Sequence, residues 1–166
     1  MNYLVDGHNL IAQLKSISLD DPNDELKLII QLRRWAAAGQ GRRITVFFDG
    51  GLPGGRDSHL SNSSVSVVFA SAGSTADELI INRIKKIYNS QEFILVSSDR
   101  EVKKAAATKK MRTLSAQAFA SQVDQLDQPR NGEDNLDPDK PENPSLNDDE
   151  IAEWLEIFNR EDENTL

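Results

Sequence analysis

The sequence contains no cysteine. This absence excludes disulfide bonds and any zinc site built from thiolates. The only two histidines, His8 and His59, are too few for a zinc site made of several imidazoles. No apolar run approaches the roughly 20 residues that span a bilayer, and the N-terminus lacks the basic region and cleavage site of a signal peptide. The sequence therefore predicts a soluble cytoplasmic protein with no membrane partner.

The charge is distributed unevenly along the 166 residues, whose net charge is −8. Residues 1–120 carry 16 Lys and Arg against 12 Asp and Glu, whereas residues 121–166 carry 3 against 15. The first part is mildly basic, which permits a polyanionic partner such as RNA. An ordinary solvated surface followed by a solubilising acidic tail is an equally good interpretation at this point.

Short apolar runs alternate with helical patterns, which is typical of an α/β fold with a mostly parallel sheet. The strands lack strict alternation of apolar and polar residues, as expected where helices cover both faces of the sheet. The predicted strands are Asn2–Val5, Ile44–Phe48, Val65–Phe69, Phe93–Val96 and Arg112–Leu114. The predicted helices cover residues 24–38, 76–88, 100–109 and 116–123.

The composition changes after this α/β region, which we assign to residues 1–122. Residues 123–147 contain four prolines, many acidic side chains and few apolar ones, which predicts a disordered or extended acidic linker. Residues 148–166 contain a second helical pattern, with an apolar face formed by Ile151, Trp154, Leu155 and Phe158. That face is expected to dock on its own domain, which is the alternative we favour, on a second copy or on a partner, and the oligomeric state stays open.

Four aspartates stand at positions that a parallel sheet brings together. Asp6, Asp49 and Asp99 follow predicted strands, and Asp77 opens a predicted helix. Ligands bind outside the carboxyl ends of such strands, and gathered like charges favour a bound cation. Mg²⁺ prefers oxygen ligands. The pattern therefore predicts a divalent-metal site that acts on phosphate, although each acid alone is also typical of a turn or a helix cap.

Other residues of the four loops are candidates for the same site. Gly7 is expected to let the backbone turn sharply and approach a ligand, and Asn9 can orient a carboxylate, a water or a phosphate oxygen. Ser97 and Ser98 offer hydroxyls to a ligand beside Asp99. For contacts with phosphate we favour Arg56 and Arg100, because both stand close to the acids in the sequence.

At these residues the chain resembles the YacP-like branch of the NYN domains, within the PIN-like nucleases. The resemblance covers residues 1–122, and its motifs are Leu4–Ile11, Val46–Gly50, Ser74–Glu78 and Val96–Val102. It implies a three-layer fold with a central parallel sheet and Mg²⁺- or Mn²⁺-dependent endoribonuclease activity. By position, Asp6, Asp77 and Asp99 match the acidic metal centre, Asn9 the polar residue of the first loop, and Asp49 a further acid. It also makes the ribosome a candidate partner.

Three functions follow from these observations. The first is a metal-dependent endoribonuclease that hydrolyses RNA, including mRNA at the ribosome. The second is a non-catalytic RNA- or ribosome-binding module with a vestigial acidic site. The third is a small-molecule phosphatase or phosphotransferase. The third is disfavoured because the position two residues after Asp6, where an aspartyl-phosphate enzyme commonly has a second acid, holds His8.

Overall fold

A twisted sheet of six strands organises the protein, for which the computed structural model describes residues 1–50 and 54–127. The strands are β1 (Asn2–Asp6), β2 (Arg43–Phe48), β3 (Gly55–Asp57), β4 (Val65–Phe69), β5 (Phe93–Val96) and β6 (Arg112–Leu114). Their order across the sheet is β3-β4-β2-β1-β5-β6. All neighbours are parallel except β3, which pairs antiparallel with β4 at the edge.

Five helices connect the strands and cover the sheet. They are α1 (Gly7–Ile11), α2 (Asp24–Ala37), α3 (Ala76–Lys85), α4 (Arg100–Thr108) and α5 (Ala116–Asp127), with a short 3₁₀ turn at Ser90–Glu92. The sheet and nearly all of these helices belong to one compact unit, Met1–Gln125. The predicted α/β fold, with three layers and a central, mostly parallel sheet, is confirmed.

Two apolar cores explain the three layers. Successive side chains of a strand point to opposite faces, so Val5, Val46 and Val96 face α1, α2 and α5, where Trp35 and Phe119 complete one core. Their strand neighbours Leu4, Phe47 and Leu95 face the other side, where they pack with Ile80 of α3 and Val102 of α4. Burial on both faces is the reason that the strands read as nearly continuous apolar runs.

The structure also differs from the sequence prediction in particular elements. Residues 7–11 form a short helix, and residues 55–57 form an edge strand, where loops were expected. Helix α3 ends at Lys85, three residues before the predicted end, and α5 continues to Asp127, beyond the predicted end at Val123. Most of the predicted acidic linker and the whole predicted C-terminal helix lie outside the described residues.

Candidate active site

Asp6 lies at the carboxyl end of the central strand β1 and is the most buried of the four acids, with 7% of its surface exposed. Its Oδ1 accepts a hydrogen bond from the Asn9 backbone N–H (3.3 Å), and its Oδ2 accepts one from the Ser97 hydroxyl (3.4 Å). The pKa of Asp6 is raised to about 6, mainly by burial, with the carboxylates of Asp77 and Asp49 adding to the rise and the hydrogen bonds from Asn9 and Ser97 opposing it. The ionised form of Asp6 is therefore costly in the folded protein.

Asp49 follows β2 and joins the sheet to the start of α3. Its Oδ1 accepts a hydrogen bond of 2.6 Å from the backbone N–H of Ala76, the first residue of α3. A carboxylate at this position accepts from one of the free N–H groups at the start of the helix, and the positive end of the helix dipole stabilises its negative charge. Asp49 thereby fixes the helix turn that carries Asp77.

Asp77 lies in the first turn of α3, between Thr75 and Glu78, the two residues of a capping box. The pKa of Asp77 is raised, mainly by burial and then by the carboxylates of Asp99 and Asp49. The negative charges of neighbouring aspartates therefore raise the pKa of both Asp6 and Asp77. This mutual influence agrees with the predicted gathering of Asp6, Asp49, Asp77 and Asp99 at the carboxyl ends of the strands, which we call the acidic edge.

Asp99 caps helix α4. Its Oδ1 accepts hydrogen bonds from the backbone N–H groups of Glu101 (2.8 Å) and Val102 (3.0 Å). The helix-cap interpretation of this residue is therefore correct. Its charge nevertheless reaches Asp77, so Asp99 both begins a helix and contributes to the acidic edge.

The two serines before Asp99 have partners inside the protein. Ser97 is fully buried, and its hydroxyl donates to Asp6 while accepting from the Asp99 backbone N–H at 3.1 Å. The Ser98 hydroxyl accepts from the backbone N–H of Ala116, the first residue of α5. Ser97 thus links two acids from neighbouring strands, a positioning role that the sequence did not indicate. Contact of either serine with RNA stays a prediction.

His8 is the site residue whose connections the sequence did not reveal. Its Nε2 lies 3.1 Å from Glu25 Oε1 of α2, and its Nδ1 lies 3.8 Å from Asp49 Oδ2. The hydrogen bond with Glu25 is the main cause of the raised pKa of His8. Glu25 is an acid in the first turn of a helix, and only that position could have marked it as a partner for a nearby histidine.

Gly7 stands where the chain passes directly from β1 into α1. Its φ lies outside the left-handed region, so its backbone conformation does not itself require glycine. A Cβ at this position would instead lie 2.3 Å from Cε1 of Phe48 and 2.9 Å from the Phe47 carbonyl oxygen. The close approach that the structure shows is therefore between α1 and β2, and an approach of Gly7 to a ligand stays a prediction.

The two cationic candidates lie on the surface of the protein. Arg56 is an exposed residue of β3, and Arg100 is an exposed first residue of α4, adjacent to Asp99. Within the described part of the chain neither guanidinium forms an ion pair. Both are available for phosphate, and their contact with RNA stays a prediction.

The four acids have the oxygen ligands that a hard cation prefers, but their side chains are not grouped closely enough to coordinate one. Carboxylate oxygens suit Mg²⁺ or Mn²⁺, and the raised pKa of Asp6 and of Asp77 shows charge that a cation would stabilise. Among residues 1–50 and 54–127, however, no three Asp, Glu or His side chains are grouped so that they could hold a metal ion. Asp49 and Asp99 are instead engaged with helix N-termini, and metal binding stays a prediction.

The pKa of Asp6 gives a prediction for folding stability. Below about pH 4 the carboxyl group is protonated in both the folded and the unfolded chain, because its unfolded pKa is about 3.9. Above the folded pKa of about 6 it is ionised in both states, and the folded state bears the cost of the buried charge. Its stabilising contribution is thus complete below pH 4 and lost as the pH rises through 6, by about 3 kcal/mol.

Urea unfolding at several pH values would measure this loss. Other acids titrate in the same range, and the pKa of Asp21 is lowered by its bond with Lys27, so wild type is compared with Asp6→Asn. The difference between the two unfolding free energies should change between pH 4 and pH 6. Parallel pH profiles for the two proteins would contradict the buried-charge interpretation.

A mostly parallel sheet between two helical layers, with carboxylates at the carboxyl ends of its strands, is an α/β architecture that agrees with the PIN-like nuclease fold. The chain belongs to the YacP-like NYN domain family, whose model matches residues 3–159. PIN-like nucleases generally hydrolyse RNA and generally use divalent metal ions.

Solved structures support the fold. The chain is similar to a crystal structure of Rae1 (YacP) from Bacillus subtilis, with 23% identity, a TM-score of 0.62 and coverage of 76% of this chain and 75% of that chain. A crystal structure of a Rae1 mutant, in which a tryptophan is replaced by leucine, matches with 21% identity, a TM-score of 0.54 and coverage of 76% of both chains. No curated protein matches the chain. None of the helices in the described ranges is long and apolar enough to cross a membrane.

Proposed function

We propose that this protein is a metal-dependent endoribonuclease that hydrolyses phosphodiester bonds of RNA at the carboxyl edge of its sheet. The observation that carries the proposal is the raised pKa of Asp6 and of Asp77, each caused in part by neighbouring carboxylates. Carboxylates that lie close together repel one another, which destabilises their ionised forms, and a bound cation would offset this repulsion. Membership of a nuclease family supplies the substrate class.

Asp6, Asp77 and Asp99 would hold the Mg²⁺ or Mn²⁺ ion, with Asp49 as a further acid. When bound, such an ion stabilises charge on the phosphate and activates water. The surrounding residues serve to place these acids. Ser97 fixes Asp6 relative to the chain at Asp99, and Asp49 fixes the helix turn of Asp77.

Three further residues face or border this set in the proposal. The side chain of Asn9, which follows Asp6 in α1, would orient the attacking water or a phosphate oxygen. Its backbone N–H already positions the Asp6 carboxylate. Arg56 and Arg100 would contact phosphate groups on either side of the cleaved bond, and such contacts weaken as the salt concentration rises.

A cleavage assay tests the proposal. Purified protein is incubated with mixed RNA and ribosomes in Mg²⁺, in Mn²⁺ or in EDTA. Cleavage should require the metal, stop in EDTA and return when excess Mg²⁺ is added. Asp77→Asn should lower the rate at least about 100-fold, because metal-assisted stabilisation contributes several kcal/mol.

Glu101→Gln is the matched control, since Glu101 is also an acid in the first turn of a helix but caps nothing. It should cut RNA at the wild-type rate. Cleavage that persists in EDTA, or that Asp77→Asn retains in full, would refute the assignment.

A second function has one observation in its favour. Because Asp49 and Asp99 cap helices, and no three acids are grouped as ligands among the described residues, the site could be a structural remnant in a protein that only binds RNA or the ribosome. Such a module would bind RNA equally with and without EDTA and cut nothing. The same assay separates it from the enzyme, and the ribosome and the cytoplasm stay proposals for partner and location.

A further inference from the structure

A groove lies along α3, on the face of the sheet that carries α3 and α4. Its volume is about 450 Å³, within the range of ligand pockets. One wall is formed by the side chains of Leu79, Asn82, Arg83 and Lys86, which share one face of the helix. The floor is formed by alternate residues of β2 and β4, the two strands that α3 leaves partly uncovered. We call this feature the α3 groove.

The α3 groove begins next to the acidic edge. Phe47, on its floor, is the register partner of Asp6 across the β1–β2 pair. Leu79, on its wall, stands two residues after Asp77. From there the groove runs back along α3 to Lys86, which is about 14 Å from Asp77 at the helical rise of 1.5 Å per residue.

The chemistry of the α3 groove suits a polyanion with polar edges. Arg83 and Lys86 are exposed, and in the described part of the chain neither forms an ion pair. Thr45, Ser66 and Asn82 add hydrogen-bonding groups, and no carboxylate lines the groove. This is a local excess of positive charge in a protein whose net charge is −8.

A third cation stands at the open side of the α3 groove. Arg56 of β3 is paired directly with Val68 of β4, and residues directly opposite each other on paired strands point to the same face of a sheet. Val68 lines the groove. Arg56 therefore projects on the groove side, where a strand of RNA leaving the acidic edge would pass between Arg56 and Arg83.

We propose that the α3 groove binds single-stranded RNA beside the cleavage site, with Arg83 and Lys86 on its phosphates and its riboses or bases against Val68 and Leu79. The proposal rests on the endoribonuclease function, and it gives that function a substrate class. At a rise of roughly 3.4 Å per stacked nucleotide, the span of about 10 Å from Leu79 to Lys86 matches about three nucleotides. RNA without secondary structure is the expected ligand, because its unpaired bases are free to lie against apolar side chains of the groove.

The test is the binding of labelled single-stranded RNA in EDTA, where cleavage does not interfere. Arg83→Gln with Lys86→Gln should weaken binding about tenfold at low salt and make the slope of log K against log salt shallower by about 1.4, the value for two lost phosphate contacts on a single strand. The matched control, Lys15→Gln with Arg112→Gln, removes the same charge from exposed residues outside the groove and should leave the slope unchanged.

Several results would overturn the proposal. An equal loss in the control variant would mean that only overall charge matters. Unchanged RNA binding in the groove variant, with an acidic peptide of residues 147–158 bound by wild type and lost in that variant, would assign the groove to a protein segment. A dinucleotide cannot reach Lys86, so a groove variant that cuts a dinucleotide more slowly than wild type would place the defect at the acids instead.

The two proposals fail separately. If wild type binds RNA with the predicted slope but never cuts it, the α3 groove stands and the endoribonuclease proposal falls. If Asp77→Asn abolishes cleavage while the groove variant binds and cuts long RNA like wild type, the enzyme stands and the groove falls.

Discussion

An Asp6→Asn variant is expected to lose RNA cleavage while becoming more stable to urea at pH 7.5. Cleavage should fall at least about 1000-fold, because the central acid of the proposed metal set is removed. The free energy of unfolding should rise by up to about 3 kcal/mol, because the buried charge disappears. Asparagine keeps an oxygen that can accept the Asn9 N–H bond and an amide that can face Ser97.

The same variant separates metal binding from catalysis. Mg²⁺ should raise the urea midpoint of wild type at pH 7.5, since a cation bound only by the folded state stabilises it. It should leave the midpoint of Asp6→Asn unchanged. Glu101→Gln serves again as the control and should respond to Mg²⁺ like wild type. Equal stabilisation of all three proteins would remove Asp6 from the metal site, even if cleavage were lost.

A Gly7→Ala variant is expected to be severely destabilised, by about 3 kcal/mol or more, because the new methyl group has no space. Its Cβ would lie 2.3 Å from Cε1 and 2.5 Å from Cδ1 of Phe48. The Phe48 side chain is fully buried between β2 and α1 and cannot move away without disturbing the core. Urea unfolding measures the change.

A double-mutant cycle identifies the cause. Combining Gly7→Ala with Phe48→Leu should cost clearly less than the sum of the two single changes, because leucine leaves room for the methyl group. Phe119→Leu is the matched control, since Phe119 is equally buried in the same core but packs against Tyr3 and Trp35. Its effect should add to that of Gly7→Ala. Additive effects with Phe48→Leu would contradict the steric explanation.

Much of the fold follows from local sequence. The runs Val65–Phe69, Phe93–Val96 and Arg112–Leu114 are strands with the predicted bounds, because apolar residues between turn residues specify buried strands. The start of α3 was also predictable, since the spacing of Thr75 and Glu78 is that of a capping box.

The features that the sequence did not reveal depend on contacts between distant residues. The three residues of β3 contain a glycine and two charged side chains, and only pairing with β4 makes them a strand. The bond from Ala76 to Asp49 spans 27 positions, and the need for glycine at position 7 comes from a ring 41 positions later. No local pattern encodes such partners.

The acidic edge was predicted for a sound reason, but its details were not. Parallel strands do place Asp6, Asp49 and Asp99 at one edge, and their charges influence one another or Asp77 as expected. Two contacts depend on side-chain packing, which the spacing of residues in the sequence does not predict. The Ser97 hydroxyl lies between Asp6 and the Asp99 backbone. His8 contacts Glu25.

The strand order has a consequence for synthesis of the protein. Asp6 lies on β1, and its hydrogen-bond partner Ser97, 91 positions later, follows the neighbouring strand β5. During translation β1 is synthesised before β5, so it cannot form this pairing until β5 has emerged. The set of acids proposed to cut RNA is therefore incomplete in a nascent chain until β5 and Asp99 have left the exit tunnel.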